Sequence, residues 1–227
     1  MRPNMSSPRK KPDQLRSHRW LGPDDWRSFG HRSRLKQMGF AATDWEGKPV
    51  VAILNTWSDF NNCHTHFRQR AEEIKRGVWQ GGGFPLEMPV TSLSETFMKP
   101  SSMFYRNMVS MEVEELLRSQ PIDAAVLMTG CDKTTPALIM AAATVNIPAI
   151  VLSGGPMLNG WWKGVRAGSG TAVWKAREEL AAGRIDDQEF LDLATASAPS
   201  VGHCNTMGTA STMNALAEAL GLSLIHI

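Results

Sequence analysis

The sequence predicts an α/β domain with a largely parallel sheet and flanking helices, and three observations support this class. From residue 49 onward, short β-branched apolar runs alternate with longer amphipathic stretches. The amphipathic stretches place apolar residues at helical spacing. The connections between them are polar or rich in glycine, which is typical of turns between strands and helices.

The first strand–helix unit begins with residues 49–54, a continuous apolar run that predicts a buried strand. Residues 65–79 follow with Phe67 and Ala71 on one helical face and most charged residues on the others. Three consecutive glycines at positions 81–83 are expected to end this helix.

The second unit is predicted to contain an extended segment over residues 88–91 and a helix over residues 104–119. The helix is expected to direct Val109, Val113 and Leu116 into the core, because these residues share one face. A cluster of glutamates on the same helix is interpreted as its solvated face.

The third unit contains the clearest predicted strand, over residues 123–128, followed by a helix over residues 137–145 and a strand over residues 149–152. The glycine-rich segment 153–170 contains no G-x-x-x-x-G-K-[ST] and no G-x-G-x-x-G that opens a helix after a strand. It therefore gives little support to a nucleotide site. We interpret it as a structured loop of an active site or an interface.

Two further helices are predicted over residues 171–182 and 187–196, and a last helix is predicted to begin near residue 206. The last helix has apolar residues at helical spacing, which are expected to share one face. They are Met213, Ala217 and Leu220.

Composition is ordinary for a globular domain, with 227 residues, 42% apolar and 20% charged. No apolar run approaches the roughly 18 residues needed to span a bilayer, and the first residues lack the apolar core of a signal peptide. The cysteine count is three, an odd number, which favours reduced thiols. We therefore expect a cytoplasmic protein without a membrane partner.

Charge is distributed unevenly, since residues 1–36 hold ten Lys or Arg and three Asp, a balance of +7. This segment is interpreted as a basic arm, with residues 1–12 disordered and with Trp20 and Trp26 packing on a neighbouring subunit. No aromatic interleaving or motif supports nucleic-acid binding, so no nucleic-acid partner is expected. Residues 37–221 are interpreted as the α/β domain.

The three cysteines, Cys63, Cys131 and Cys204, each lie where an apolar run gives way to a turn before a helical stretch. Their spacings of 68 and 73 residues exclude a local zinc clip, so a joint role requires a fold that gathers three distant loops. Core packing is the common role of a free cysteine. These cysteines lie in polar or glycine-containing turns, which favours a functional site.

Three thiolates suit a 2Fe-2S or 4Fe-4S cluster that leaves one iron position open, whereas four cysteines are usual in electron transfer. An open iron is a Lewis acid that makes a hydroxyl group a better leaving group. Zinc held by three cysteines and a histidine is the alternative, because His64 and His203 each adjoin a cysteine.

Oxygen ligands for a harder cation are also present. Asp132 directly follows Cys131, and Glu95 lies in a polar loop. Carboxylates with few soft competitors suit Mg²⁺. A carboxylate in a turn is more often solvated or capping, and this objection applies more strongly to Glu95 than to Asp132.

Several segments carry a family resemblance. They are residues 131–137 (Cys-Asp-Lys-Thr-Thr-Pro-Ala), 153–157 (Ser-Gly-Gly-Pro-Met), 202–213, 55–57 leading to Cys63, and 94–100. Together they resemble the signature blocks of the iron–sulfur dehydratases, which include dihydroxy-acid dehydratase and the sugar-acid (aldonate) dehydratases. The resemblance covers most of residues 30–221.

The resemblance implies a 2Fe-2S cluster, with 4Fe-4S as the alternative, and a nearby Mg²⁺. The implied cluster ligands are Cys63, Cys131 and Cys204, and the implied Mg²⁺ ligands are Glu95, Asp132 and a carbamylated Lys133. In such enzymes Mg²⁺ orients the substrate carboxylate and C2 hydroxyl, and cluster iron takes the C3 hydroxyl. A base removes the C2 proton, and the enol tautomerises to a 2-keto-3-deoxy acid.

Within this family, Glu95 in its Ser-Leu-Ser-Glu context and residues 159–162 resemble the sugar-acid branch. We therefore expect a pentonate or hexonate as the substrate and a homo-oligomer, a dimer or tetramer, as the assembly. Dihydroxy-acid dehydratase of branched-chain amino-acid biosynthesis is the alternative. A non-catalytic zinc-binding module is the alternative from another class.

Family members are more than twice as long as this chain, and the resemblance implies a C-terminal β-barrel-like domain. That domain is expected to supply a serine base and a further carboxylate ligand, so no base is assigned within the 227 residues. Residues 222–227 (Leu-Ser-Leu-Ile-His-Ile) resemble a translated sequencing adapter and are interpreted as a foreign tail. The chain is accordingly expected to be an inactive, aggregation-prone fragment.

Overall fold

The computed structural model describes residues 10–223 and contains a four-stranded sheet in the order β2-β1-β3-β4, with every neighbouring pair parallel. This confirms the predicted α/β class. The strands are β1 Val50–Asn55, β2 Phe84–Pro89, β3 Ala124–Thr129 and β4 Ala149–Ser153. Because all four run in one direction, their carboxyl ends share one edge of the sheet.

Nine α-helices surround this sheet in the described residues. They are α1 His18–Leu21, α2 Trp26–Gln37, α3 Ala42–Trp45, α4 Phe67–Gln80, α5 Arg106–Ser119, α6 Thr134–Val145, α7 Thr171–Ala181, α8 Asp187–Ala196 and α9 Thr209–Ala219. Short 3₁₀ turns lie at Pro12–Gln14 and Ser102–Tyr105. Helices α4, α5 and α6 are the crossover connections between successive strands.

The two faces of the sheet are covered by different helices, as alternation along a strand requires. On one face, Leu54 and Leu127 pack with residues of α5 and α6, including Val113 and Leu138. On the other face, Ile53 packs with Phe67 and Ala71 of α4. The predicted core positions Val109, Val113 and Leu116 are confirmed, with Leu116 only partly buried, and Leu117, which was not predicted, is fully buried beside them.

Two element boundaries differ from the prediction. The extended segment expected over residues 88–91 is β2, which begins at Phe84 and ends at Pro89. Strand β2 lies at the edge of the sheet, where prolines are tolerated. Because it contains Pro85 and Pro89, the sequence pattern did not indicate its full length. Helix α6 begins at Thr134, before the predicted residue 137, because Pro136 fits the first turn of a helix.

The glycine-rich segment 153–170 contains a hairpin that the sequence did not predict. Strands β5 Gly160–Trp162 and β6 Val165–Ala167 pair antiparallel across a two-residue turn. Lys163 and Gly164 both have positive φ values, 48° and 77°. Such a turn favours glycine at one of its positions, as observed here.

The predicted face of the last helix is wrong at Leu220, which is 71% exposed. Helix α9 ends at Ala219, and the chain then directs Leu222 against the core of the sheet. The buried face of α9 consists of Ala210, Asn214 and Ala217, so it includes a polar residue.

The N-terminal helices are attached to the end of the sheet opposite the strand carboxyl ends. The Asp123 carboxylate accepts hydrogen bonds from the backbone amides of Ser17 and Val50, at 2.9 and 2.8 Å. The Arg16 guanidinium donates to the carbonyl oxygens of Leu117 and Ile122, at 2.7 and 2.9 Å. These contacts anchor the start of the described chain.

Trp20 packs partly against a small cluster around Val50 and Phe84, whereas Trp26 is 80% exposed. The expected disorder of residues 1–12 concerns mainly residues outside the described range, and so does most of the expected foreign tail, at 224–227. Within residues 10–223, no helix has the length and apolar character needed to cross a membrane.

Candidate active site

The predicted site residues lie in the turns at the carboxyl edge of the sheet. Cys63 lies between β1 and α4, and Cys131, Asp132 and Lys133 lie between β3 and α6. Cys204 lies in the loop that leads to α9. In open parallel sheets, this edge is where ligands bind.

Cys63 and Cys131 meet in the interior, with their Sγ atoms 3.6 Å apart. Their exposed fractions are only 6% and 4%. Two thiolates on one tetrahedral metal, each at about 2.3 Å from it, lie about 3.8 Å apart. The observed separation therefore suits two ligands of one metal centre.

The two thiols have opposite electrostatic environments. The contact with Cys131, followed by burial, raises the pKa of Cys63. The contact with Cys63 lowers the pKa of Cys131 against the opposing effect of burial, and the nearby backbone of Asp132 acts in the same direction as the contact. Cys131 also lies three residues before the start of α6, whose amino-terminal end favours negative charge. Cys131 is therefore the better thiolate of the pair.

The structure does not bring the third cysteine into this contact, because Cys204 is exposed. Its loop is nevertheless joined to the segment after β4 by two backbone hydrogen bonds. The His203 amide donates to Gly155 O at 3.1 Å, and the Met157 amide donates to His203 O at 2.9 Å. Cys204 thus lies on a loop next to the site, with its side chain in solvent.

The His203 ring connects the Cys204 loop to α9. Asn214 Nδ2 donates to His203 Nε2 at 3.1 Å, and His203 Nδ1 donates to Cys204 O at 3.0 Å. Burial lowers the pKa of His203, which agrees with this neutral form. Asn214 was not predicted from the sequence, although a polar residue on the apolar face of a helix was the available indication.

His64 is a buried core side chain rather than a member of the thiol pair. It is fully buried, stacks on Phe67 at 4.4 Å, and its Nδ1 donates to Thr56 O at 2.9 Å. Burial lowers its pKa to about 4. Its Nε2 is buried with no hydrogen-bond partner among the described residues, so the ring is held by packing and by its Nδ1 contacts.

The predicted oxygen ligands do assemble, around the Lys133 ammonium. Lys133 Nζ lies 2.5 Å from Asp132 Oδ2 and 3.5 Å from Glu95 Oε1. Burial opposes the charge on Lys133, but the hydrogen bond and charge of Asp132 outweigh burial and raise its pKa. A hydrogen bond with Asp132 and burial raise the pKa of Glu95. The two carboxylates therefore share one cation in this arrangement.

The donor set fits metal binding in part. Two sulfur donors meet at 3.6 Å and two carboxylates flank one cationic group, so soft and hard donors lie in adjacent turns. In the described part of the chain, however, no three His, Cys, Asp or Glu side chains form a group that could hold a metal ion. The sulfur half of the site thus has two cysteine donors in contact, and the oxygen half has two carboxylates around Lys133. Neither half has a third donor in place among the described residues.

The fold and this site define an α/β enzyme domain with a candidate centre at the carboxyl edge of its sheet. Residues 48–227 match the family model described as the N-terminal domain of dihydroxy-acid/6-phosphogluconate dehydratases. The chain therefore belongs to this dehydratase family, which confirms the resemblance identified in the sequence.

Curated relatives include proteins named for both substrate classes. A 6-deoxy-6-sulfo-D-gluconate dehydratase of Pseudomonas putida is 52% identical over 220 residues, 97% of this chain and 38% of the relative. An L-arabonate dehydratase of Azospirillum brasilense is 53% identical over 213 residues, 94% of this chain and 36% of the relative.

A dihydroxy-acid dehydratase of Moorella thermoacetica is 37% identical over 199 residues, 86% of this chain and 36% of the relative. The chain thus spans 36–38% of the length of these three relatives. The relatives named for sugar acids are the more similar to it.

Proposed function

We propose that this chain serves the dehydration of a sugar acid, a pentonate or hexonate, to a 2-keto-3-deoxy acid. The observation that carries the proposal is the difference in identity between two groups of relatives. Dehydratases named for sugar acids reach 52% and 53%, whereas a dihydroxy-acid dehydratase reaches 37%. The substrate class of the first group is therefore the better model for this chain.

We also propose that Cys63, Cys131 and Cys204 hold a 2Fe-2S cluster, and that Glu95, Asp132 and a carbamylated Lys133 hold Mg²⁺. The 3.6 Å contact between Cys63 and Cys131 supports the sulfur half. The approach of both carboxylates to Lys133 supports the oxygen half. Carbamylation would convert the central cation into an anionic ligand, so a metal cation would replace the ammonium charge between the carboxylates.

The proposed reaction removes the C2 proton and the C3 hydroxyl of the sugar acid as one water molecule. The resulting enol tautomerises to the ketone at C2. Held by the three cysteines and by Glu95, Asp132 and Lys133, a cluster with an open iron position and a Mg²⁺ ion would supply Lewis acidity toward substrate oxygens.

The chain's own residues prepare this edge for an anionic substrate. The amino-terminal end of α6 lies behind Cys131 and favours negative charge there. The burial of Cys63 and Cys131 keeps water away from the thiolates. Lys133 is itself 7% exposed, which fixes the position of the group between Asp132 and Glu95.

Metal analysis tests the cofactor proposal. The chain purified without oxygen should contain iron and acid-labile sulfide, and each of Cys63→Ser, Cys131→Ser and Cys204→Ser should lower both. An exposed carboxylate nearby gives the control, since Asp59→Asn should leave both unchanged. A colourless protein that contains zinc would overturn the cluster and favour a zinc-binding module.

A chimeric enzyme tests the substrate proposal. The chain replaces the matching segment of the Azospirillum brasilense L-arabonate dehydratase, and keto-acid formation is measured on pentonates, hexonates and 2,3-dihydroxy-3-methyl acids. Turnover of sugar acids is expected. Turnover confined to the dihydroxy-methyl acids would contradict the proposal.

We further propose that the complete enzyme is a cytoplasmic homo-oligomer, a dimer or tetramer, whose partner is the small sugar acid. Light scattering on the active chimera measures its mass, and a monomer would contradict this assembly.

A further inference from the structure

The turn that carries Cys63 is joined to the loop that carries Glu95 by one buried side chain, Asn61. Asn61 and Leu93 are both buried, with exposed fractions of 0% and 1%. Thirty-two residues separate these two positions along the chain. Their contact is therefore a tertiary connection between two turns of the candidate site.

The two ends of the Asn61 amide bind different turns. Its Oδ1 accepts from the Cys63 backbone amide at 3.1 Å. Its Nδ2 donates to Ser92 Oγ at 2.9 Å and to Leu93 O at 3.2 Å, and it also lies 3.2 Å from His64 Nδ1 in its own turn. Asparagine is suited to this position because its short side chain carries both an acceptor and a donor group.

The loop on the far side of Asn61 also carries one of the predicted oxygen ligands. Glu95 lies two residues after Leu93, and its Oε1 lies 3.5 Å from Lys133 Nζ. A shift of this loop would therefore displace the carboxylate that faces Lys133.

We propose that Asn61 is a positioning residue that holds the sulfur half and the oxygen half of the site in register. This inference rests on the proposed function, since it takes Cys63 and Glu95 as metal ligands. An asparagine that only shaped its own turn would need the Cys63 contact alone. The contacts with Ser92 and Leu93 allow Asn61 to position the loop that carries Glu95 as well.

The adjacent residue supplies a matched control. Asn62 is exposed, and its Oδ1 accepts one longer hydrogen bond, from Thr96 Oγ1 at 3.3 Å. Asn61→Ala and Asn62→Ala thus remove the same side chain from consecutive positions, one buried between the two turns and one at the surface.

Hydrogen–deuterium exchange on the metal-free chain tests the connection itself. Asn61→Ala should raise exchange by about tenfold in peptides covering both 61–66 and 91–97, because each loses a buried hydrogen-bond partner. Asn62→Ala removes one exposed and longer hydrogen bond, to Thr96, and should raise exchange in both peptides much less than Asn61→Ala does. Unchanged exchange over 91–97 in Asn61→Ala would overturn the proposal.

Metal binding tests the positioning role. Asn61→Ala should lower both the iron and sulfide content and, by about tenfold, the affinity for Mg²⁺ measured by calorimetry. A residue that only shapes the Cys63 turn would change the iron content and leave Mg²⁺ affinity unaltered, and this result would also overturn the proposal.

Ser92→Ala keeps the proposal testable if Asn61→Ala does not fold. It removes one partner of Asn61 on the Glu95 side and should raise exchange over 91–97 and weaken Mg²⁺ binding, and wild-type values for both would count against the proposal. If the wild-type chain binds neither iron nor Mg²⁺, the proposed function fails, whereas the exchange comparison still decides whether Asn61 joins the two turns.

Discussion

The turns that carry Cys63 and Cys131 are held very differently from the loop that carries Cys204. The first two follow strands β1 and β3, which pair directly in the sheet. The loop of Cys204 has no strand of the sheet before it and is held by hydrogen bonds of His203 and of its neighbour Asn205. The buried thiols are thus fixed by the core, and the exposed thiol is fixed by a few hydrogen bonds.

This difference indicates how a three-thiol site can be assembled in stages. The sheet alone places two sulfurs at 3.6 Å. The third depends on the hydrogen bonds of its loop, among them the Asn214–His203 contact and those of Asn205. On the proposed function, Cys204 is therefore the ligand whose position is most readily adjusted when the metal binds.

Thiol reactivity should show the largest difference between the two regions. In the folded, metal-free chain, Cys204 should react with a thiol reagent on the order of a hundredfold faster than Cys63 and Cys131, because buried groups react only after local opening. Mass spectrometry of the labelled peptides measures the three rates. In denaturant all three should react alike, and equal rates in the folded chain would remove the distinction.

A core substitution should affect the sheet region most strongly. Leu127 is 1% exposed, and Leu127→Ala should lower the free energy of unfolding by about 2–5 kcal/mol through the cavity it leaves. The same change on α9, Leu216→Ala, removes a side chain that is 47% exposed and should cost less than about 1 kcal/mol. Urea unfolding compares them, and similar costs would contradict the comparison.

A glycine substitution should disrupt the Cys204 loop. Gly202 has φ at 125°, and a Cβ there would lie 2.6 Å from Met157 N. Gly202→Ala should therefore lower the free energy of unfolding by about 3 kcal/mol and expose the Met157 amide to exchange.

The control for Gly202→Ala is Gly183→Ala, since Gly183 also has a positive φ, 68°, but open space around its missing side chain. It should show the cost of the backbone conformation alone, about 1 kcal/mol. Equal effects of both substitutions would mean that the contact with Met157 is unimportant.

Removing the partner of His203 should have the smallest effect of the four. Asn214→Leu leaves His203 Nε2 without its donor and should cost about 1.5 kcal/mol. Faster exchange of the peptide around Cys204 is expected, with the exposed Thr212→Ala on the same helix as control. A slower exchange in Asn214→Leu would show that the apolar face of α9, not the hydrogen bond, holds the loop.

Much of the fold was predictable because the relevant patterns are local. Strand β1 and helix α4 follow from an apolar run and a helical periodicity, which depend on neighbouring residues only. The hairpin at Gly160–Trp162 and Val165–Ala167 was missed because its strands are three residues long and half exposed. Strand β2 was misplaced because its prolines are tolerated only at a sheet edge.

For the candidate site, the sequence proposed residues and not contacts. Turn context singled out the three cysteines, Glu95 and Asp132 as candidates, and the family resemblance added Lys133. They gave no indication of Asn61 and Asn214, whose roles depend on partners that approach from other parts of the chain. Exposure was also undetermined, since Cys63 and Cys204 lie in similar polar turns but have opposite burial.

The sequence by itself thus determined the parallel α/β class and the side chains able to bind metals, because residue type and local periodicity are read along the chain. The tertiary structure decided that Cys63 meets Cys131 while Cys204 faces solvent. The physical reason is that contacts across 68 residues depend on strand order and register, which place β1 beside β3. The sequence therefore gave three candidate cysteines, and the pairing of β1 with β3 brought two of them, Cys63 and Cys131, into contact.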